Sequence, residues 1–139
     1  MERDVYSGKS ELYGEQSREA LGSAYNYAAT LNDLERFEEA KSLLRKMIPI
    51  ARRVLGESHE LTSKMRLSYA LALSTWTPAG APLDDLREAV STLEDTVRIA
   101  RRVLGGVHPL TTALESDLRD ARAVLQARKD GKKVTFVKH

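Results

Sequence analysis

Five stretches of the chain carry apolar residues at helical spacing, separated by short breaks. Leu21, Ala24, Tyr27, Ala28 and Leu31 form the first stripe, and Phe37, Ala40, Leu43, Leu44, Met47 and Ile48 the second. Leu61, Met65, Tyr69, Ala70 and Leu73 follow, then Leu86, Ala89, Val90, Leu93, Val97 and Ile99. The last set is Leu110, Leu114, Leu118, Ala121 and Leu125. Recurrence at three and four residues puts each set on one face of an amphipathic helix. The pattern predicts helices over about 18–31, 34–55, 60–76, 83–104 and 109–128 and no regular sheet, so the fold class is all-α.

The breaks carry matching punctuation. Ser17 reads as an N-cap, Asn32-Asp33 as a stop and a new cap, and Asp84 as the cap of the fourth helix. Gly56 and Gly105-Gly106 read as C-terminal breakers, with Arg52-Arg53 and Arg101-Arg102 in the last turns, where the helix dipole favours cations. His108-Pro109 opens the fifth helix with proline at the first helical position. Pro49 lies inside the second pattern and predicts a kink rather than a stop, because Ile50 to Leu55 still reads as helix.

The chain also repeats itself. Ile50-Ala-Arg-Arg-Val-Leu-Gly56 returns unchanged as Ile99-Ala-Arg-Arg-Val-Leu-Gly105, and His59, Leu61 and Thr62 match His108, Leu110 and Thr111 at the same offset of 49. Tyr27-Ala28 and Tyr69-Ala70 coincide at an offset of 42. The difference of seven residues is accounted for by the turn-forming run Thr77-Pro-Ala-Gly-Ala-Pro82, inserted between the third and fourth helices. Self-similarity at such a period marks a stacked repeat array. Residues 1–16 read as a polar flank ending a preceding unit, since Leu12-Tyr-Gly-Glu15 resembles Val54-Leu-Gly-Glu57. Residues 17–128 form the repeat domain, and 129–139 a basic, extended tail.

Composition narrows the partner classes. Of 139 residues, 42% are hydrophobic and 30% charged, which suits one folded domain. With 22 basic and 20 acidic residues there is no single-sign field to draw nucleic acid or an anionic membrane. No apolar run reaches the roughly 18 residues needed to span a bilayer, and no signal peptide is visible at the N-terminus. Zero cysteines exclude a disulfide framework and a cysteine nucleophile, in keeping with a cytoplasmic location.

Candidate chemistry is sparse. His59 and His108 stand at equivalent helix starts and read as caps, and His139 is in the tail. Glu38-Glu39 and Asp84-Asp85 fall in first turns, where negative charge suits the dipole. The arginine pairs repeat in step with the scaffold and read as structural. There is no glycine-rich phosphate cradle or nucleophile elbow, so no enzyme activity, cofactor or metal is expected.

At Phe37-Glu-Glu-Ala40, Leu86-Arg-Glu-Ala89 and Leu104-Gly-Gly-Val-His-Pro109 the chain resembles tetratricopeptide repeats, and within them the long-repeat type of kinesin light chains. Glu35 stands where that family usually has a glycine between paired helices, and the Thr77–Pro82 loop is an addition. The resemblance implies antiparallel helical hairpins stacked as a short right-handed solenoid of about two and a half repeats. It also implies a non-catalytic scaffold that holds a peptide or protein segment in a concave groove. Counting outward from the packed stripes, the groove candidates are Tyr25, Asn26, Ala29 and Asn32 on the first helix and Lys64, Leu67, Ser68 and Leu71 on the third. On the fifth they are Ser116, Asp117 and Asp120, and Asn26 matches a family position that contacts bound peptides. A different reading starts from the fifth helix, which has no sixth to cover it. Its Leu110, Leu114, Leu118 and Leu125 then form an apolar face for self-association as a homodimer, or for neighbouring repeats.

Overall fold

The computed structural model describes residues 2–74 and 80–131, with side chains described from Ser17 onward. Five helices follow one another: α1 Glu2–Asp33, α2 Phe37–Val54, α3 Glu60–Ser74, α4 Leu83–Val103 and α5 Pro109–Lys129. Among the described residues there is no strand. Each helix packs on the next, and α3 also touches both α1 and α5. The result is two layers, α1-α3-α5 and α2-α4, the arrangement expected of stacked hairpins. One core runs through them, built from Leu21, Ala28, Leu44, Met65, Tyr69, Leu73, Leu93, Leu114 and Leu118. Alanines at Ala28, Ala40, Ala51, Ala89 and Ala100 are nearly or fully buried and let the helix axes approach.

The two turns that lead from one hairpin to the next are near copies. Gly56 and Gly105 take φ of +99° and +92°, the left-handed conformation that a side chain would oppose. The Gly56 N–H donates to the carbonyl of Arg52 at 3.1 Å, and Gly105 to that of Ala100 at 3.2 Å, closing the helix ends. Three residues on, the Nδ1 of His59 accepts from the Leu61 N–H (3.0 Å), and that of His108 from Leu110 (3.1 Å). The duplicated sequence is therefore a stop-and-restart signal. Thr62 adds a bond from its hydroxyl to the Gly56 carbonyl at 2.9 Å, whereas the Thr111 hydroxyl is buried with no partner.

The turn inside the first hairpin is built differently. Glu35 N–H donates to Asn32 O (3.0 Å) and Arg36 N–H to Leu31 O (2.8 Å), the bond pair of a Schellman stop. The motif needs its central residue left-handed, and Glu35 sits at φ +61°. An L-residue there costs about 1–2 kcal/mol, part of which a glycine returns as unfolded-state freedom. Glu35→Gly is expected to stabilise the fold by about 0.5–1 kcal/mol, read as a higher urea midpoint. No gain would show that the Glu35 side chain offsets its own strain.

Several sequence expectations need correction. Helix α1 does not start at Ser17 but runs unbroken from Glu2 through Gly8 and Gly14. A lone glycine costs a helix only about 1 kcal/mol and stops it only with a C-cap behind it. Asp84 does not cap α4. Pro82 takes the N-cap position with no side-chain bond, and Asp84 is in the first turn. Helix α2 starts at Phe37 rather than 34, and Pro49 lies within it, the helix continuing to Val54 as expected. Tyr27, placed on the buried stripe by its spacing, is 57% exposed. The α5 face is covered. Leu110, Leu114 and Leu118 are buried and Leu125 half-buried, so that stripe is spent inside the chain. The conformation expected of the tail, and Trp76 with the first half of the Thr77–Pro82 run, fall outside the described residues.

Candidate protein-binding surface

Helix α3 is the most enclosed element. Thr62, Ser63, Met65, Arg66, Ser68, Tyr69, Ala70, Ala72 and Leu73 are all buried. The strip that reaches the surface carries Glu60, Lys64, Leu67 and Leu71, with Leu71 exposed and the other three half-buried. On α1 the corresponding strip is Tyr25 and Ala29, both half-buried, and exposed Asn26. On α5 it is half-buried Ser116 and Asp117 and exposed Asp120. Three helices of one layer thus bring most of the expected groove residues onto one side.

The row is amphipathic. Tyr25 and Leu67 rest on the main core, giving apolar contact with fixed positions. Lys64 pairs at 3.7 Å with Glu60, a half-exposed contact worth little in water. No hydrogen bond fixes the Asn26 side chain among the described residues, while its backbone carbonyl accepts from Thr30. Burial, and then the neighbouring carboxylate of Asp120, pushes the Asp117 carboxyl up to about 6.

Two of the candidates serve the scaffold. The Asn32 amide donates to the Ser68 carbonyl (3.1 Å) and to the Ser68 hydroxyl (3.0 Å), tying α1 to α3. Ser68 is buried, so Asn32 and Ser68 are spent on each other and not presented to a ligand. The Asn32 Oδ1 is buried without a partner.

Polar knots hold α2, α3 and α4 in register behind this row. The Arg45 Nε donates to the Tyr69 hydroxyl at 3.1 Å, Tyr69 donates to Glu88, and the Arg45 guanidinium lies 5.8 Å from the Tyr69 ring centre. Burial and the Glu88 carboxylate raise the Tyr69 pKa, against the opposing pull of Arg45. Lys41 bridges Glu38 (3.0 Å) and Asp85 (3.2 Å) in the same α2–α4 seam. Near the hairpin junction Arg66 and Arg52 hold the Glu57 carboxyl below its ordinary range.

A second concavity was not anticipated. A cleft of about 570 Å³ between α4 and α5 is lined by Glu94, Val97, Arg98, Arg101, Glu115, Leu118, Arg119 and Arg122. Arg101 crosses it to Glu115 (2.9 Å) and Arg122 to Glu94 (3.6 Å). Repeat arithmetic locates it: at the offset of 49, Glu94, Arg101 and Leu118 correspond to Arg45, Arg52 and Tyr69, which border the seat of α4. The cleft is the open side of the last two described helices, and its charges pair across it with one another. Pairing in these clefts also explains the repeated arginines, since Arg52 and Arg101 each bond a neighbouring acid.

His59 and His108 use a ring nitrogen as a cap, and among the described residues no group of three His, Cys, Asp or Glu converges as a metal would need. No described helix is long and apolar enough to cross a membrane.

A family model described as tetratricopeptide repeat matches residues 20–60, which cover the second half of α1, its turn, α2 and the entry to α3. No curated protein and no solved structure matches the chain. The hairpin of residues 20–60 is therefore a tetratricopeptide-type repeat, set in an all-α helical-repeat fold.

Proposed function

We propose that the protein is a non-catalytic scaffold that holds a peptide or protein segment along the α1-α3-α5 row. Tetratricopeptide repeats generally mediate protein–protein interaction, and the finer reading rests on one observation. The most enclosed helix, α3, leaves open a single strip, and that strip carries Leu67 and Leu71 beside Lys64. Flanked by Tyr25 and Asn26 on one side and by Ser116, Asp117 and Asp120 on the other, it offers apolar contact between a neutral polar side and an anionic one. An extended segment could lay alternate side chains on the leucines and bond its backbone to the Asn26 amide. The His-Pro and Leu-Gly signals favour the long-repeat type seen in kinesin light chains, and a cytoplasmic setting suits a chain without cysteine.

A displayed random-peptide library, panned on the folded chain, tests this. Selected peptides should lose about ten- to a hundredfold in affinity against Asn26→Ala/Lys64→Glu and against Leu71→Asp, with thermal midpoints little changed. Peptides that bind these variants as well as the wild type would place the site elsewhere.

A further inference from the structure

The repeat offsets allow one face to be compared across three helices. Thr62, Met65, Tyr69 and Ala72 on α3 correspond to Thr111, Leu114, Leu118 and Ala121 on α5. All eight are buried, four of them at 0% exposure. On α3 this face looks toward α2, as the Arg45–Tyr69 bond shows, and on α5 toward α4. The same positions on α1 are Ala20, Ser23, Tyr27 and Thr30, and all four are exposed. In α1 the face that receives a helix in both later copies is open.

Its chemistry is unlike the rest of the surface. Residues 20–32 contain no charged side chain, in a chain that is 30% charged. Covering such a stretch strips no charged group of its water. Leu34, 60% exposed, continues the seven-residue spacing Ala20–Tyr27–Leu34. At the other end of the array the corresponding open surface is the α4–α5 cleft with Arg98, Arg101, Arg119, Arg122, Glu94 and Glu115.

We infer that the outer face of α1 is the contact for a second copy of the chain, the two α1 helices packing antiparallel about a two-fold axis between Ser23 and Ala24. The asymmetry of the ends selects this arrangement. Head-to-tail stacking would press an uncharged helix onto the Arg101–Glu115 and Arg122–Glu94 ion pairs and strip their water with no charged partner supplied in return. Pairing the uncharged face with itself leaves both charged ends in solvent and closes the assembly at two copies. Shape agrees: an axis between Ser23 and Ala24 sets Tyr27 of one copy on Ala20 of the other, large on small, with Ser23 facing Ala24 at the centre, where helices approach most closely.

Sedimentation velocity across a micromolar concentration series should show a reversible dimer. Ala20→Glu/Tyr27→Glu sets carboxylates against each other in both halves of the contact and should weaken association by about a hundredfold or more, with the helical circular dichroism unchanged because both positions are exposed. Ser23→Cys, the sole cysteine in the chain, should form a disulfide-linked dimer on mild oxidation, and this readout decides the matter if the charged variant does not fold. A wild type monomeric throughout the series would overturn the inference. So would a dimer that survives Ala20→Glu/Tyr27→Glu, or one that Ser23→Cys fails to cross-link.

Discussion

Leu114→Ala is expected to lower stability by about 3–4 kcal/mol, near the middle of the range for removing a fully buried leucine side chain. Leu114 has 0% exposure and belongs to the main core with Leu93, Leu110 and Leu118. Its repeat equivalent, Met65, is equally enclosed. The loss should not spread evenly. In a stacked array each helix is stabilised by its neighbours, and α5 rests on α4 with only a lesser contact to α3. Hydrogen exchange should therefore quicken in α5 first and leave α1 and α2 nearly as protected as before, with the urea midpoint falling for the molecule as a whole. The same variant separates two accounts of the α5 stripe. If Leu114 faced solvent or a second copy, the change would cost the isolated chain within about 0.5 kcal/mol and would act on association instead.

Much of the fold was legible because its signals are local. The glycines at 56 and 105, the histidines that follow them and the threonines after those form short, self-contained units, and the chain prints the unit twice. Helix existence followed from apolar spacing, and the ends of α2 to α5 were predicted to within a few residues. What failed was whatever depends on a neighbour. Tyr27 has the spacing and the repeat position of Tyr69, yet Tyr69 meets Arg45 and Glu88 whereas Tyr27 faces outward, because the covering helix is an event in space. The α5 leucines failed in the opposite sense: a stripe with no sixth helix looks uncovered, but α4 and α3 already bury it. The start of α1 was misread because Gly8, Gly14 and Ser17 suit a break but do not compel one. For the proposed groove, counting outward from the stripes gathered Tyr25, Leu67, Leu71 and Ser116 on one side of α1, α3 and α5. It could not show that Asn32 and Ser68 bond each other, since they are 36 residues apart. The end cleft was legible in principle, through the replacement of Tyr69 by Leu118 and of Arg45 by Glu94 at the offset of 49.

Asp117→Asn is expected to stabilise the protein by about 1–1.5 kcal/mol at pH 7.5 and to do almost nothing near pH 3.5. Burial, helped by Asp120, pushes the folded-state pKa of Asp117 up to about 6, above the ordinary aspartate value of about 4. The native state therefore binds this proton more tightly than the unfolded chain does. Between about pH 4 and pH 6 stability falls as the pH rises, the penalty is fully developed above the folded pKa, and it vanishes below the unfolded one. At full weight a shift of this size corresponds to about 3 kcal/mol, but Asp117 is only partly withdrawn from water, and screening cuts the figure to half or less. Paired urea titrations of the wild type and Asp117→Asn at the two pH values give the comparison. A gain that is equal at both would show that packing rather than charge is responsible. Asp117 lies on the same side as Leu67, Leu71 and Tyr25, so a carboxylate that costs the fold stability is placed on the face proposed to meet a partner. A cation held beside it by a bound segment would draw its pKa back down and release that penalty on binding. Affinity for such a segment should then weaken as the pH drops through about 6, and Asp117→Asn should flatten that dependence.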